Sequence, residues 1–319
     1  MAPDHGFGFD FAEMDSMNAL GLELGYLPRF EKKVLKDEGS TSIVIDEYGV
    51  RKRIKNSGSG MPQFLSFPVN DRASWESLLP RLNPDTEGRF PADWHARIAT
   101  LRSVDIPVGF GTGHLCGFFS FLRELCGDGV YYLLFDDPDL IREMLSYQAD
   151  RLAKLLRKAA SETRIDRLFI WEDMAFKNGP LIGPVQFRDF LMEPYSILIG
   201  AARESGVPII DVDSDGDMHL LIDLWLEAGV TMLHPFEVAA GMDVVEISRR
   251  YGKRLALRGG VDKRALARGR TAIDAELERI RPAFDAGGYI PHVDHSVPPD
   301  VSFDDYRYYL DGLRRLLGF

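Results

Sequence analysis

The chain is poor in cysteine, in basic charge and in long apolar runs, and each shortage removes a class of protein. Only 2 of its 319 residues are cysteine, Cys116 and Cys126. That excludes a disulfide scaffold and a cysteine-rich metal site. Lys and Arg number 38 against 49 Asp and Glu, a net charge of −11. Nucleic acids and anionic membrane surfaces reward clustered basic residues, so neither is an expected partner. No run of ~18 apolar residues is long enough to span a bilayer. Residues 1–11 lack the basic segment followed by an apolar one that marks a secretory signal. A cytoplasmic location is the expectation. There is no internal repeat and no low-complexity tract. What is present is a 45% hydrophobic chain with enough apolar side chains for a sizeable core.

From about residue 105 the sequence has a rhythm. Short β-rich runs at 105–110, 166–171, 207–213, 230–235, 254–259 and 288–293 alternate with amphipathic segments. The clearest helix is 138–160, which opens on Pro138 and places Leu140, Ile141, Met144, Leu145, Leu152, Leu155 and Leu156 at helical spacing. Others are expected over 185–205, 217–228, 243–251, 272–286 and 304–317. Strand–helix–strand repetition predicts a parallel sheet with helical crossovers. Residues 20–27 (LGLELGYL) supply a seventh candidate strand.

A TIM-type (β/α)8 barrel needs eight strands. The expectation is one barrel domain over 1–319 whose first strand is missing or replaced. Residues 1–11 could supply a substitute, the barrel could stay open at a seam, or a second subunit could cover it. Exposed sheet edges invite pairing, so a homo-oligomer, or a start downstream of the natural first strand, is expected. A β-hairpin and surface loop form an excursion at about 40–62. The open doubly wound alternative rests on Gly109, Gly111 and Gly113 after a strand. Their spacing is wrong for a dinucleotide fingerprint, and no acid clearly closes a second strand.

In a parallel barrel the chemistry sits at the C-terminal strand ends. There the chain places Thr112, His114 and Cys116; Trp171, Glu172, Asp173 and Lys177; Asp211, Asp213, Asp215 and Asp217; His234, Phe236 and Glu237; Arg258, Asp262 and Lys263; and His292, Asp294 and His295. Alternation along a strand points Asp211, Asp213 and Asp215 to one face. Three carboxylates in a lumen repel one another and need a metal, a cation or shared protons. Asp217, and to a lesser degree Asp215, also suits an N-cap for a helix starting near Met218. Glu172 and Asp173 lie on opposite faces, and either could pair with Lys177. His292 and His295 bracket Asp294, and histidine is the favoured acid, base and ligand near neutral pH. Trp171 and Phe236 could wall a flat ligand, or belong to the core.

The segments Trp171-Glu172-Asp173-Met174-Ala175, Lys177-Asn178-Gly179-Pro180, Asp213-Ser214-Asp215-Gly216, Pro235-Phe236-Glu237 and Gly287 to Asp300 resemble the uroporphyrinogen decarboxylase superfamily. Within it they look most like the branch related to corrinoid-dependent methyltransferases. The resemblance implies a TIM-type barrel with its site at the C-terminal mouth. The chain departs from it twice. It has no Arg-rich N-terminal segment to bind a polycarboxylate porphyrinogen. Asp213, Asp215 and His295 also stand where the zinc methyltransferases carry His and Cys ligands. Two carboxylates and an imidazole suit a harder divalent ion, zinc in a harder site, or no metal.

The resemblance implies methyl transfer from a small substrate, such as a methoxylated aromatic, to a corrinoid carried by a separate protein. Glu172, Asp213, Asp215 and His295 are the expected catalytic or ligand residues. His114, Trp171, Lys177, His234, Phe236, Arg258 and His292 are the expected substrate contacts. A decarboxylase of a small carboxylated substrate, with Arg258 and Lys263 as cations, is the alternative. A non-catalytic small-molecule-binding barrel is the third reading.

Overall fold

A computed structural model describes residues 20–57, 61–103, 105–111 and 114–318, with only the backbone of His114. Residues 1–11 and Thr112, named above, lie outside the described residues.

Six parallel strands form the centre: β5 (Gly109–Phe110), β6 (Arg167–Trp171), β9 (Ile209–Asp213), β10 (Met232–His234), β11 (Ala256–Val261) and β12 (Tyr289–Val293). They lie side by side in chain order, joined by helical crossovers, which is the order of a TIM-type α/β barrel. All six expected runs from 105 onward become strands. Alternation sends Leu168, Ile170, Ile210, Val212, Leu233 and Leu257 to the helix-packed face, where each is fully buried. The opposite face carries Trp171, Asp213 and His234 in one row, set by the pairings Trp171 to Asp213 and Asp213 to His234. Arg258 and His292 extend that face on β11 and β12.

The helix Pro138–Ala160 forms as read, with Asp137 capping it through the Leu140 N–H (3.0 Å) and its leucine stripe buried. It packs against Met192–Glu204. The expected helix at 217 begins instead at Ile222. Asp217 accepts from the His219 N–H (3.1 Å) and meets its ring Nδ1 at 2.7 Å, so it shapes the preceding loop and does not cap a helix at Met218.

Residues 20–27 are not a strand. Leu20, Leu24 and Tyr26 are buried, so the apolar signal was real. Two buried arginines satisfy the segment's carbonyls in place of a neighbouring strand. Arg89 donates to Glu23 O (2.9 Å) and Gly25 O, and Arg151 donates to Leu24 O (2.6 Å). Among the described residues, β5 and β12 therefore have no further parallel neighbour.

The excursion is larger than a hairpin. β1 (Lys33–Asp37), β2 (Thr41–Ile45), β3 (Arg51–Lys55) and β4 (Gln63–Ser66) make a four-stranded antiparallel sheet. A short ribbon, β7 (Ala175–Phe176) with β8 (Gly179–Pro180), follows β6. No described helix is long and apolar enough to cross a membrane.

Candidate active site

The site begins with a buried chain of charges across three strands. Arg167, at the start of β6, forms an ion pair with Asp211 on β9. The other Asp211 oxygen meets His234 Nδ1 at 2.9 Å. His234 Nε2 stands 3.5 Å from Asp213 Oδ2. Burial raises the Asp211 carboxyl, but His234 and Arg167 outweigh it and hold it below the usual carboxylate range. Burial likewise opposes a charged His234, yet the two aspartates lift it to about 8. His234 is therefore an imidazolium at neutral pH, fixed by Asp211 and facing Asp213. Arg258 is half-buried on the same face; burial and Arg167 lower its pKa, and Asp211 and Asp213 oppose that.

Beyond the end of β9 lies Asp215, with Oδ2 at 3.2 Å from His295 Nε2. Its carboxyl is raised to about 6. Burial is the largest cause; His295 opposes it, and the charges of Asp213, Asp173 and Glu237 add to it. The mouth around it is built by strained and tied loops. Asp173 (φ 43°) and Phe236 (φ 58°) are the two described non-glycine residues with positive φ. Both follow barrel strands, and such outliers gather at functional sites. Buried Asp294 accepts from the backbone N–H of Val238 (2.8 Å) and Lys263 (3.0 Å), joining the loops after β10, β11 and β12. Lys263 Nζ reaches Glu237 at 3.0 Å.

Glu172 does not join the aspartates. It is wholly buried. It accepts from the backbone N–H of Phe118 (2.9 Å), Phe119 (2.8 Å) and Ser120 (3.1 Å), and from the Tyr195 hydroxyl (2.6 Å). The first of those amides precede and open the helix Phe119–Cys126, whose own N-cap supplies no side-chain acceptor. A carboxylate just past the end of β6 thus fills the place of a cap. Burial raises its pKa, and the four donors pull the other way. Two glycines permit this close approach: a Cβ on Gly111 would lie 2.1 Å from Phe169 O, and one on Gly117 would lie 1.9 Å from Trp171 O.

The remaining expected residues are scattered. Trp171 is half-buried at the mouth. Phe236 is fully buried, and so belongs to the core. Lys177 is exposed on the turn between β7 and β8. Asp173 pairs with Arg123 (3.4 Å) and not with Lys177. His292 is exposed, with Nδ1 2.7 Å from Val293 O. His114 opens a 3-10 turn, His114–Cys116; its side chain lies outside the described residues.

Residues 127–316 match the sequence family described as Uroporphyrinogen decarboxylase (URO-D). The chain belongs to the uroporphyrinogen decarboxylase family. No curated protein matches it. Among solved structures it is similar to a methyltransferase from Methanosarcina mazei, at 15% identity and a TM-score of 0.56, over 85% of this chain and 76% of that one. A B12-independent methionine synthase from Shewanella sp. W3-18-1 is also similar, at 13% identity and a TM-score of 0.41, over 69% of this chain and 66% of that one. The first of these likenesses supports the barrel fold; neither carries a reaction across.

The uroporphyrinogen decarboxylase barrel here does not assemble the expected metal ligands. Among the described residues no three His, Cys, Asp or Glu side chains form a metal-holding group. Asp213 pairs with His234, and Asp215 with His295. As arranged here these side chains are paired two by two, and no step is derived through a metal. Sequence reasoning missed the Arg167–Asp211 pair as the core of the site. Its signal was an arginine opening the otherwise apolar run at 167–171, on the same strand face as Phe169, which is level with the first of the alternating aspartates.

Proposed function

We propose that this protein is a methyltransferase-type enzyme that takes a methyl group from the oxygen of a small, methoxylated aromatic substrate. The acceptor would be a reduced corrinoid held by a separate protein, which supplies the nucleophile. The observation that carries the reading is Asp215: a half-buried carboxyl at about 6, beside His295 and ringed by Asp213, Asp173 and Glu237. An aryl or alkyl oxygen leaves badly as an anion. As the methyl–oxygen bond breaks, the oxygen keeps the bonding pair and takes the proton of Asp215. Asp213, held by His234, keeps that proton available by repelling the Asp215 anion. Trp171 offers a half-buried aromatic face at the same mouth.

A decarboxylase is the second reading. His234 as imidazolium and half-buried Arg258 share one face and could hold a carboxylate. One experiment separates the two. The protein is mixed with reduced cobalamin and a panel of methoxyarenes while the corrinoid spectrum is followed, and CO2 release is measured with a panel of aryl carboxylates. Corrinoid methylation that is lost in Asp215→Asn supports methyl transfer. CO2 release without methylation supports decarboxylation and overturns it. Silence in both assays leaves a binding barrel.

A further inference from the structure

A second feature lies beside the acid site and is not explained by it. Between the antiparallel sheet and the barrel mouth there is a cavity of about 350 Å³. Four aromatic side chains line it: Tyr48, Phe64, Phe67 and Trp171. Phe64 and Phe67 stand with ring centroids 5.6 Å apart, and Phe64 is 50% exposed. An aromatic so open at a concave surface offers its face to a ligand.

The charges on the walls decide the ligand's sign. The lining carries four carboxylates, Asp46, Glu124, Asp128 and Asp173, against two cations, Lys52 and Arg123. Each cation has a carboxylate of the same wall at hand: Lys52 Nζ is 2.7 Å from Asp46, and Arg123 Nη1 is 3.4 Å from Asp173. The wall as a whole keeps an excess of negative charge. That disfavours an anionic ligand and favours a cationic one. Aromatic faces attract a cation through the ring quadrupole, and a methylated ammonium also buries its methyl groups against them.

We propose that this cavity binds a small ligand with a quaternary ammonium head. Tyr48, Phe64, Phe67 and Trp171 supply the faces, and the carboxylates of the lining, four against two cations, supply the field. The antiparallel sheet, which the barrel alone does not require, furnishes one wall, and the barrel mouth furnishes the other. Asp173 is shared: it lines the cavity and its charge also acts on Asp215. A cation bound there would stand close to the acid site. The inference does not rest on the methyl-transfer reading, because its test reads binding and not turnover.

The full chain is titrated with choline and, separately, with 3,3-dimethylbutan-1-ol, its uncharged isostere of the same shape. Calorimetry and tryptophan fluorescence are the readouts, and benzoate is the anionic control. Choline should bind about tenfold more tightly than the isostere. Phe64→Ala, at a half-exposed position, should weaken choline by about fivefold and the isostere less. Asp128→Asn should weaken choline alone. Equal binding of choline and the isostere overturns the proposal, as does tighter binding of benzoate or no choline binding at tens of millimolar.

Discussion

Replacing His295 and Asp213 one at a time tests the account of Asp215, because the two changes act in opposite directions. Asp215 titrates at about 6, lifted first by burial, held back by His295, and lifted further by Asp213, Asp173 and Glu237. With that value, roughly one carboxyl in eleven is protonated at pH 7 and roughly ten in eleven at pH 5. A step that needs this proton runs about tenfold faster at pH 5 than at pH 7. His295→Gln removes the opposing group, so Asp215 should titrate higher and the rate profile should move to higher pH. Asp213→Asn removes a like charge, so both should move lower. Contacts between partly exposed charges are worth up to about 1 kcal/mol, and one pKa unit is about 1.4 kcal/mol. Each shift should therefore be about half a unit. Carbon-13 NMR of the aspartate carboxyls gives the titration directly, with Asp215→Asn identifying the resonance. In turnover, Asp215→Asn should lose the acid limb and about 10²–10⁴ in rate. Shifts of the same sign in the two variants would refute the reasoning, as would a wild-type Asp215 titrating at an ordinary carboxyl value.

Two further expectations concern the buried charges. In Asp211→Asn only Asp213 is left to oppose burial, so His234 should titrate lower than in the wild type, visible in imidazole NMR, and Arg167 is left short of its carboxylate at a cost of about 3–5 kcal/mol. In the wild type His234 sits at about 8 against 6.5, so the imidazolium contributes about 2 kcal/mol. That contribution is complete below pH 6.5 and fades as pH rises through 8; urea unfolding that is flat across this window contradicts it. Glu172→Gln keeps the volume but turns an amide NH2 toward backbone N–H donors. It should destabilise the chain by about 3 kcal/mol in urea unfolding, with Tyr195→Phe costing about 1. A Glu172→Gln protein of wild-type stability that has lost only activity would show Glu172 to be more than an anchor.

How much of this was legible in the sequence depends on the range over which each residue is decided. The strands at 166–171 and 207–213 and the helix at 138–160 were readable because alternation and helical spacing are local and their apolar faces are all buried. The lumen direction of Asp211 and Asp213 followed from the same alternation. The segment 20–27 misled because apolar residues every second or fourth position also suit a buried coil. What keeps it from being a strand is the arrival of Arg89 and Arg151 from more than sixty residues away, and nothing within the segment records that.

Glu172 marks the same boundary inside the site. It directly follows the end of β6, and its direction away from the lumen follows from its position next to Trp171. Its task was unreadable, because it depends on where the helix Phe119–Cys126 comes to rest. Once that helix end is in place, the carboxylate is consumed by three amides and a tyrosine, and the candidate acid passes to Asp215. The aspartate run posed a question: like charges brought close together need an answer. The fold answers it unevenly. Asp211 receives a cation and an imidazolium, Asp213 shares that imidazolium, and Asp215, at the rim, is left with His295 against three like charges. The raised pKa at the last position follows from burial first, with His295 opposing it and the like charges of Asp213, Asp173 and Glu237 adding to it. The carboxyl able to give up a proton is thus the one for which compensation is least complete.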